Sequence, residues 1–264
     1  MRVKVNDIFI NYEIAGSGKT LVLTHGIGGN TQNWRPTVPL LAEYYQVLTW
    51  DVQGHGQSDK PEGKYSAGLF ASDLAALLKV LDIDGAFVLG HSMGGVIALR
   101  FALDFPDLCN ALIVSSSSAE VNPQATKYWQ DLAATVLEKG MAAIPFDTTR
   151  TFAKSFVEKN PEIVEEFARN RAVNDPGAYV KAALAVSEYN YNEELSRIHC
   201  PTLIIVGNDD MMTPPGGSVK MSRLITGSKL IIFKDCGHLS YVEQPEVFSK
   251  SILDFLGEVR QSGK

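Results

Sequence analysis

Two kinds of apolar pattern alternate along most of the chain, and this alternation restricts the fold more than any other feature. Runs such as residues 21–23, 86–89 and 111–114 are apolar throughout, which is typical of strands buried on both faces. Between them lie longer segments, such as residues 66–81, whose apolar residues recur every three or four positions and indicate amphipathic helices. Strand and helix in alternation predict an α/β fold, with a parallel sheet covered by helices on both faces.

The alternation is interrupted in the middle of the chain, where every pattern is helical. Apolar residues over 129–137 recur at the spacing of one helix face, and Pro161 directly follows an Asn, as at a helix start. We therefore predict a core built from residues 1–118 and 198–264. Residues 119–197 are predicted to form an all-helical insertion into this core.

Length and charge limit the classes of protein to which this chain can belong. At 264 residues it is long enough to bury a full core, as one large domain or two small ones. A net charge of −6 gives no electrostatic reason to expect nucleic acid or an anionic membrane as a partner. The sequence has no run of 18 apolar residues that would span a membrane, and residues 1–10 lack the apolar centre of a signal peptide.

Cysteine usage indicates a compartment and argues against a common kind of metal site. Cys109, Cys200 and Cys236 are few, odd in number and widely spaced, which fits reduced, buried thiols in a cytoplasmic protein. No paired spacing of the kind that binds zinc occurs. We therefore predict a cytoplasmic location and no bound metal.

One glycine-rich turn lies between a predicted strand and a predicted helix. Gly90, Ser92 and Gly94 stand at alternate positions directly after the apolar run 86–89, and an apolar helical pattern begins at Val96. A serine on so sharp a turn needs small neighbours, because its backbone is strained and the helix packs closely beneath it. Ser92 is therefore a candidate for a reactive serine.

The chain has only five histidines, one of which could be the base that activates this serine. A serine hydroxyl is a poor nucleophile until a base takes its proton, and the base needs an acid to hold its tautomer. The loops after parallel strands meet at one edge of the sheet; His238 follows the last predicted strand, whereas His199 precedes its strand. We predict His238 as the base. Asp209 and Asp210 are adjacent candidates for the acid that spacing alone does not separate, and Glu120 is a third.

Nearly the whole chain resembles the α/β-hydrolase superfamily, in its form with a helical cap. The motifs that carry this resemblance occur in the family's order and are specific as a set. They are His25-Gly26 after the third strand, Gly90-x-Ser92-x-Gly94, Gly207-x-x-Asp210-x-x-x-Pro214 and Gly237-His238. The resemblance implies a mostly parallel, eight-stranded sheet with helices on both faces and a cap inserted after the sixth strand.

The resemblance also implies roles for individual residues. In the family the acid lies three residues after the glycine of the third motif, which selects Asp210. The oxyanion hole is formed by the amide after the nucleophile, here Met93, and the amide after His-Gly, here Ile27. No metal or organic cofactor is needed. The family commonly has Arg where this chain has Gln53, which removes one cation from the glycine-rich loop of residues 51–58.

Hydrolysis of carboxylic esters is the activity that these residues favour, with lactone hydrolysis as a close alternative. Ser92 argues against dehalogenases and epoxide hydrolases, which use a carboxylate nucleophile. Carbon–carbon bond hydrolases typically have Asn before the serine and Trp after the histidine, where this chain has His91 and Leu239. Cofactor-free haloperoxidases share the triad, and some proteins of this fold are small-molecule receptors without turnover. Enol-lactonases of the 3-oxoadipate pathway resemble this chain in length and in residues 25–29 and 238–245.

The expected partner is a small apolar ester or lactone, bound by a monomer or a homodimer. No cluster of cations for a carboxylated substrate is evident, and we expect Arg150, Arg169 and Arg171 to face solvent. Substrate contacts are predicted from five residues, which are His25, Gly26, His91, Trp129 and Leu239.

Overall fold

Eight strands form one sheet in the computed structural model, which describes residues 1–261. Numbered along the chain, they are β1 (Arg2–Val5), β2 (Ile8–Ala15), β3 (Thr20–Thr24), β4 (Gln46–Trp50), β5 (Ala86–His91), β6 (Cys109–Ser115), β7 (Thr202–Gly207) and β8 (Lys229–Phe233). Their order across the sheet is β1-β2-β4-β3-β5-β6-β7-β8. β2 runs antiparallel to β1 and β4, and every other pair of neighbours is parallel, as the resemblance implies. The predicted core range ends in residues 262–264, which lie outside the described residues.

Helices connect most of these strands, and their starts follow local chemistry visible in the sequence. In chain order the α-helices of residues 1–261 are α1 (Val38–Ala42), α2 (Ala67–Val80), α3 (Met93–Asp104), α4 (Pro123–Lys139), α5 (Thr148–Thr151), α6 (Lys154–Lys159), α7 (Pro161–Ala172), α8 (Pro176–Ala185), α9 (Pro215–Leu224), α10 (Ser240–Glu243) and α11 (Pro245–Gln261). The Ser66 hydroxyl accepts the amide of Leu69 at 3.0 Å, and the Asp175 carboxylate accepts that of Ala178 at 2.8 Å. Each bond satisfies one of the amides that a helix leaves unpaired in its first turn.

The core lies on both faces of the sheet because strand side chains point alternately to opposite sides. On one face Val88 belongs to a cluster with Phe70 of α2 and Ile97 of α3. On the other face Leu89 belongs to a cluster with Phe248 of α11. All five side chains are fully buried. Burial on both faces explains why the central strands are apolar without alternation in the sequence.

The segment between β6 and β7 is helical, as the sequence predicts, apart from one isolated bridge between Glu120 and Asn190. We call α4 to α8, over residues 123–185, the cap helices. Within them α4 packs against α8 through a small apolar cluster. The boundaries of a separate cap domain at residues 119 and 197 stay a prediction.

An aromatic cluster joins the cap helices to the core. Phe152 stacks on Phe156 with 5.2 Å between ring centroids and meets Phe167 edge-on at 5.8 Å. α5 ends at Thr151 and α6 begins at Lys154, so Phe152 lies in the break between the two helices and stacks on Phe156 in the first turn of α6. Phe152 also belongs to the buried cluster on the α11 face of the sheet. The cap helices are therefore packed against the same core that supports the strands.

Two cysteines that are 91 positions apart in the chain lie close together at the start of two neighbouring strands. Cys109 begins β6 and Cys200 precedes β7, and their Sγ atoms lie 3.8 Å apart. Their proximity follows from the parallel register, which pairs Leu112 with Thr202. All three cysteines are free thiols; Cys109 and Cys236 are buried as predicted, whereas Cys200 is half-buried.

Residues 1–261 contain neither a helix that could span a membrane nor a group of side chains that could bind a metal ion. None of their helices combines the length and the apolarity that crossing a bilayer requires. Within the same residues, no group of three or more His, Cys, Asp or Glu side chains is placed to hold a metal ion.

Candidate active site

Ser92 lies on the turn that joins β5 to α3, in a backbone conformation that few non-glycine residues adopt. Its φ and ψ are 54° and −117°. Its amide donates to the Ser115 carbonyl at 2.9 Å, and its own carbonyl accepts the Ser117 hydroxyl at 2.9 Å. Strain of this kind persists only where the surroundings enforce it, and it is common at functional sites. The turn therefore fixes Ser92 at the carboxyl edge of the sheet.

Two glycines make this turn possible. A Cβ on Gly94 would lie 2.2 Å from the Thr24 carbonyl oxygen of β3. A Cβ on Gly90 would lie 1.9 Å from the Gly94 carbonyl oxygen. These are contacts with backbone, which cannot move aside as the end of a side chain does. The close approach of α3 to the sheet thus explains why glycine stands on either side of Ser92.

His238 lies in the loop after β8 and is hydrogen-bonded to a buried carboxylate. Its Nδ1 is 2.9 Å from Oδ2 of Asp210, whose side chain is fully buried. Oδ1 of Asp210 accepts the amides of Met212 and Thr213 at 2.9 and 2.8 Å, and Oδ2 accepts the Thr213 hydroxyl at 2.8 Å. With Nδ1 donating its hydrogen to the carboxylate, Nε2 of His238 is free to accept a proton.

Electrostatics keeps Asp210 ionised. Burial by itself would raise the pKa of Asp210, but His238 and the hydrogen bonds from Thr213 outweigh it and hold the pKa below its ordinary value. An ionised Asp210 stabilises the positive charge that His238 acquires when it accepts a proton.

The structure separates the three carboxylates that the sequence leaves as candidates for the acid. Asp210 contacts His238, whereas the neighbouring Asp209 is exposed. Glu120 accepts Lys220 at 2.5 Å and Asn192 at 2.6 Å, and neither Asp209 nor Glu120 has a described hydrogen bond to His238. Only Asp210 is therefore placed to orient the imidazole.

The loop that carries His238 is fastened to the cap helices. The His238 amide donates to the Thr151 carbonyl at 2.9 Å. A carboxylate oxygen of Glu243 accepts the amide of Gly237 at 3.0 Å and the amide of Ala153 at 2.9 Å. Burial raises the pKa of Glu243 in spite of these amides. The same carboxylate thus holds the loop before His238 and the chain between α5 and α6.

A second loop, His25 to Gly29, lies against Ser92. A Cβ on Gly26 would be only 3.2 Å from the Cβ of Ser92. The next residue is Ile27, whose amide is one of the two predicted oxyanion donors; the other belongs to Met93, the first residue of α3, where amides have no intrahelical acceptor. Asn174 donates to the Gly28 carbonyl at 2.9 Å and so ties this loop to the end of α7.

The buried side chain of His25 links this loop by hydrogen bonds to Val52, the second residue after β4. Its Nε2 accepts the Val52 amide at 3.0 Å, so Nδ1 carries the hydrogen and donates to the Gly26 carbonyl at 2.7 Å. Burial lowers the pKa of His25 to about 4 despite that hydrogen bond, and burial lowers the pKa of His55 beneath it to about 3. Burial likewise holds the pKa of His91 well below its ordinary value. All three imidazoles are therefore neutral in the folded protein.

Neutral buried histidines predict a fold that loses stability in acid. Because the folded pKa values of His25 and His55, about 4 and 3, lie below the 6.5 of a free histidine, the unfolded chain binds more protons across that interval. We expect the melting temperature to fall as the pH drops from about 6.5 to 4. His55→Gln should flatten this dependence in calorimetric melts, whereas His199→Gln, at an exposed position, should not. Equal slopes for the two variants would contradict the assignment.

Two cavities meet at Ser92. The His238 cavity, of about 110 Å³, contains His238, Leu239 and Arg171; the Lys220 cavity, of about 380 Å³, contains Lys220, Glu120 and Tyr189. Four residues line both cavities, and these are Ile27, Ser92, Trp129 and Met212.

Most of the predicted contact residues lie in these cavities. Gly26, His91 and Leu239 line the His238 cavity, and Trp129 lines both. His25 lines neither, because it is fully buried beneath the loop that it supports.

The expectation that Arg171 faces solvent is wrong. Arg171 is half-buried and lines the His238 cavity, where its Nη2 donates to the Tyr179 hydroxyl at 3.2 Å. Arg150 is also half-buried, with its guanidinium 4.9 Å from the ring centre of Tyr128, while Arg169 is exposed as expected. Helical spacing shows only that α7 has a polar face, and the sequence carries no signal for which part of that face covers a cavity.

Comparison with known proteins identifies the family. A family model of the α/β-hydrolase fold matches residues 19–245. The chain is 31% identical over 249 residues to 3-oxoadipate enol-lactonase 2 of Acinetobacter baylyi, a match that covers 93% of this chain and 92% of that protein.

Solved structures agree over almost the full length. An esterase from Thermogutta terrifontis, solved with malate bound, superposes with a TM-score of 0.93 at 29% identity and covers 98% of this chain and 99% of its own. The enol-lactonase of Burkholderia xenovorans superposes with a TM-score of 0.92 at 25% identity, over 97% of this chain and all of its own. The chain therefore belongs to the α/β-hydrolase family, and it is a hydrolase.

Proposed function

We propose that this protein hydrolyses small carboxylic esters or lactones through an acyl-enzyme on Ser92, with His238 as base and Asp210 as its acid. The observation that carries the proposal is the 2.9 Å hydrogen bond between Nδ1 of His238 and the buried Asp210, in a site where His238 and Ser92 line one cavity. That arrangement leaves Nε2 of His238 as the proton acceptor for a serine held on a strained turn.

Acylation begins when Oγ of Ser92 attacks the substrate carbonyl carbon and its proton passes to Nε2 of His238. The carbonyl oxygen becomes an oxyanion, which the amides of Ile27 and Met93 stabilise by about 3–4 kcal/mol for each donor. His238 then gives its proton to the departing alcohol oxygen as the bond to that oxygen breaks. The acyl group stays on Ser92, and Asp210 remains ionised throughout.

Deacylation repeats these steps with water. Nε2 of His238 takes a proton from water, and the hydroxide oxygen attacks the acyl carbon. The tetrahedral intermediate collapses, Ser92 recovers its proton from His238 and the carboxylic acid leaves. Each proton transfer is balanced by these two side chains, so the proposed cycle needs no metal or organic cofactor.

The relatives of this chain support activity on both esters and lactones. Proteins called an enol-lactonase and an esterase both match this chain over nearly its full length. The same two chemical steps open a lactone ring or split an ester, because only the tether between acyl and alcohol differs. We propose a cytoplasmic enzyme, monomeric or dimeric, that accepts both small-molecule classes, with residues 119–197 acting as the cap that selects among them.

Steady-state hydrolysis tests this proposal. We expect repeated turnover of p-nitrophenyl esters of short acyl chains and of a simple enol-lactone, measured across a series of acyl lengths. A fluorophosphonate probe followed by peptide mass spectrometry should label Ser92. A label on another residue would contradict the nucleophile assignment.

The alternatives give different kinetics. Release of one equivalent of p-nitrophenol followed by no further reaction would indicate a receptor that reacts once, instead of an enzyme. Turnover of a vinylogous 1,5-diketone faster than any ester would favour a carbon–carbon bond hydrolase, and perhydrolysis of acetate with peroxide would favour a cofactor-free haloperoxidase. His91 before the serine and Leu239 after the histidine argue against the carbon–carbon bond hydrolase. For the other two alternatives these assays decide, and we expect repeated turnover of esters.

A further inference from the structure

Arg171 is anchored by three hydrogen bonds in the wall of the His238 cavity. Its Nη1 donates to the carbonyls of Ile144 and Pro145 at 3.2 and 3.3 Å, and its Nη2 donates to the Tyr179 hydroxyl at 3.2 Å. A guanidinium has five N–H donors. These contacts use three of them, which leaves the Nε–H and one Nη2 hydrogen without a described partner. Such unpartnered guanidinium donors are available to bind a carboxylate.

The charge of Arg171 is not neutralised by a neighbour. Arg171 forms no ion pair with any carboxylate of residues 1–261, whereas Lys220 in the other cavity is paired with Glu120 at 2.5 Å. Asp147 also lines the His238 cavity, but its carboxylate caps α5 by accepting the amides of Thr149 and Arg150. The His238 cavity therefore presents a positioned cation that lacks an anionic partner.

The chemistry of the proposed function decides which part of a substrate meets this cation. The alcohol oxygen leaves as it accepts a proton from His238, so the leaving group must lie on the side of Ser92 that His238 lines. His238 lines the cavity of Arg171 and does not line that of Lys220. The leaving alcohol is thereby directed to the His238 cavity and the acyl group to the larger Lys220 cavity.

We propose that the substrates of this site are esters or lactones whose alcohol portion carries a carboxylate, and that Arg171 is the specificity-determining residue that binds it. This inference rests on the proposed function and names its substrate class. During acylation the carboxylate stays bound and unreacted at Arg171, while the ester C–O bond breaks and the alcohol oxygen takes the proton of His238. In a lactone the carboxylate is carried on the alcohol side of the ring.

Three acyl donors of similar size test the proposal. In 3-acetoxybenzoate the carboxylate is on the alcohol, in the monophenyl ester of succinic acid it is on the acyl chain, and phenyl acetate has none. For Arg171→Met we expect kcat/KM for 3-acetoxybenzoate to fall about 10–100-fold, mostly through KM, with less than about a threefold change for the other two esters. Arg171→Lys, which keeps the charge without the planar edge, should recover part of the loss.

Arg169→Met is the matched control, because Arg169 lies on the same helix, is exposed and pairs with Glu165 at 3.5 Å. It should leave all three esters unchanged. An equal loss for phenyl acetate and 3-acetoxybenzoate would show that Arg171 is only structural. A loss confined to the succinate ester would show that the two cavities are assigned the wrong way round.

Product binding separates this inference from the proposed function. Calorimetric titration with 3-hydroxybenzoate should give a Kd that Arg171→Met weakens at least about tenfold and Arg169→Met does not. If the wild-type protein turns over no ester but binds 3-hydroxybenzoate through Arg171, the proposed function fails and the anion site stands. Turnover with equal 3-hydroxybenzoate binding by wild type and Arg171→Met overturns the anion site alone. If Arg171→Met does not fold by circular dichroism, the same comparison is made with Arg171→Lys, which must still weaken binding.

Discussion

Replacing Ser92 by Ala is expected to lower kcat for ester hydrolysis by about 10⁴–10⁶-fold, to the rate of the residual oxyanion site alone. The reason is that no other hydroxyl of the described residues is placed on the strained turn beside both cavities. The melting temperature should change by only a few degrees, since Ala and Ser differ by one hydroxyl at this half-buried position. Initial rates with p-nitrophenyl acetate and thermal melts measure the two quantities.

Ser249→Ala provides the matched control for this variant. Ser249 lies in α11, and its buried hydroxyl has no hydrogen-bond partner among the described residues. Its removal should therefore leave kcat unchanged and should not lower stability. Ser92→Ala retaining more than about one per cent of wild-type kcat would contradict the covalent mechanism.

Replacing Gly94 by Ala is expected to destabilise the fold by about 3 kcal/mol or more, lowering the melting temperature by about 6–12 °C. The added Cβ would lie 2.2 Å from the Thr24 carbonyl oxygen and 2.7 Å from that of His25, so α3 must move away from β3. That movement displaces Ser92 and the Met93 amide together, and we expect kcat to fall as well. Urea unfolding and esterase assays report the two effects.

Gly257→Ala is the control for Gly94→Ala. It tests whether the loss of stability comes from the contact between α3 and β3 or from replacing any glycine in a helix. Gly257 lies inside α11, and no atom outside its own helix and neighbours comes within 4 Å of an added Cβ. The free energy of unfolding should rise by about 0.5–1 kcal/mol, because Ala is the better helix former. A Gly94→Ala protein as stable as Gly257→Ala would show that α3 does not approach β3 as closely as described.

The sheet and most helix starts could be predicted because they depend on local chemistry. Apolar runs over β5 and β6 and the Asp-Pro pair before α8 act within a few residues, and the structure has these elements at the predicted places. Ser92 and His238 could also be chosen, since a parallel sheet brings the loops after its strands to one edge.

Features that depend on the packing of distant segments could not be predicted in this way. The proximity of Cys109 and Cys200 requires the register between β6 and β7. The proposed role of Arg171 depends on the position of α7 over the cavity, and the contacts of Glu243 depend on the break between α5 and α6. In the sequence Arg171 and Glu243 occupy ordinary polar positions, so no periodicity distinguishes them from charged residues that face solvent.

The attachment of the His238 loop to residues 151–153 limits how this enzyme can be redesigned. Exchanging helices 123–185 for those of a relative is an obvious way to alter substrate choice, since they supply much of the wall of the His238 cavity and include Trp129, which lines both cavities. However, the Thr151 carbonyl accepts a hydrogen bond from the His238 amide, and the Ala153 amide donates one to Glu243. Because these are main-chain groups, a chimera that alters the path of the chain at residues 151–153 is expected to lose rate with every substrate alike, whereas one that keeps this path is expected to change preference alone. The cap helices before residue 151 and those after residue 153 can thus be exchanged separately to change substrate selectivity. Residues 151–153 between them are kept, because they hold the loop of His238.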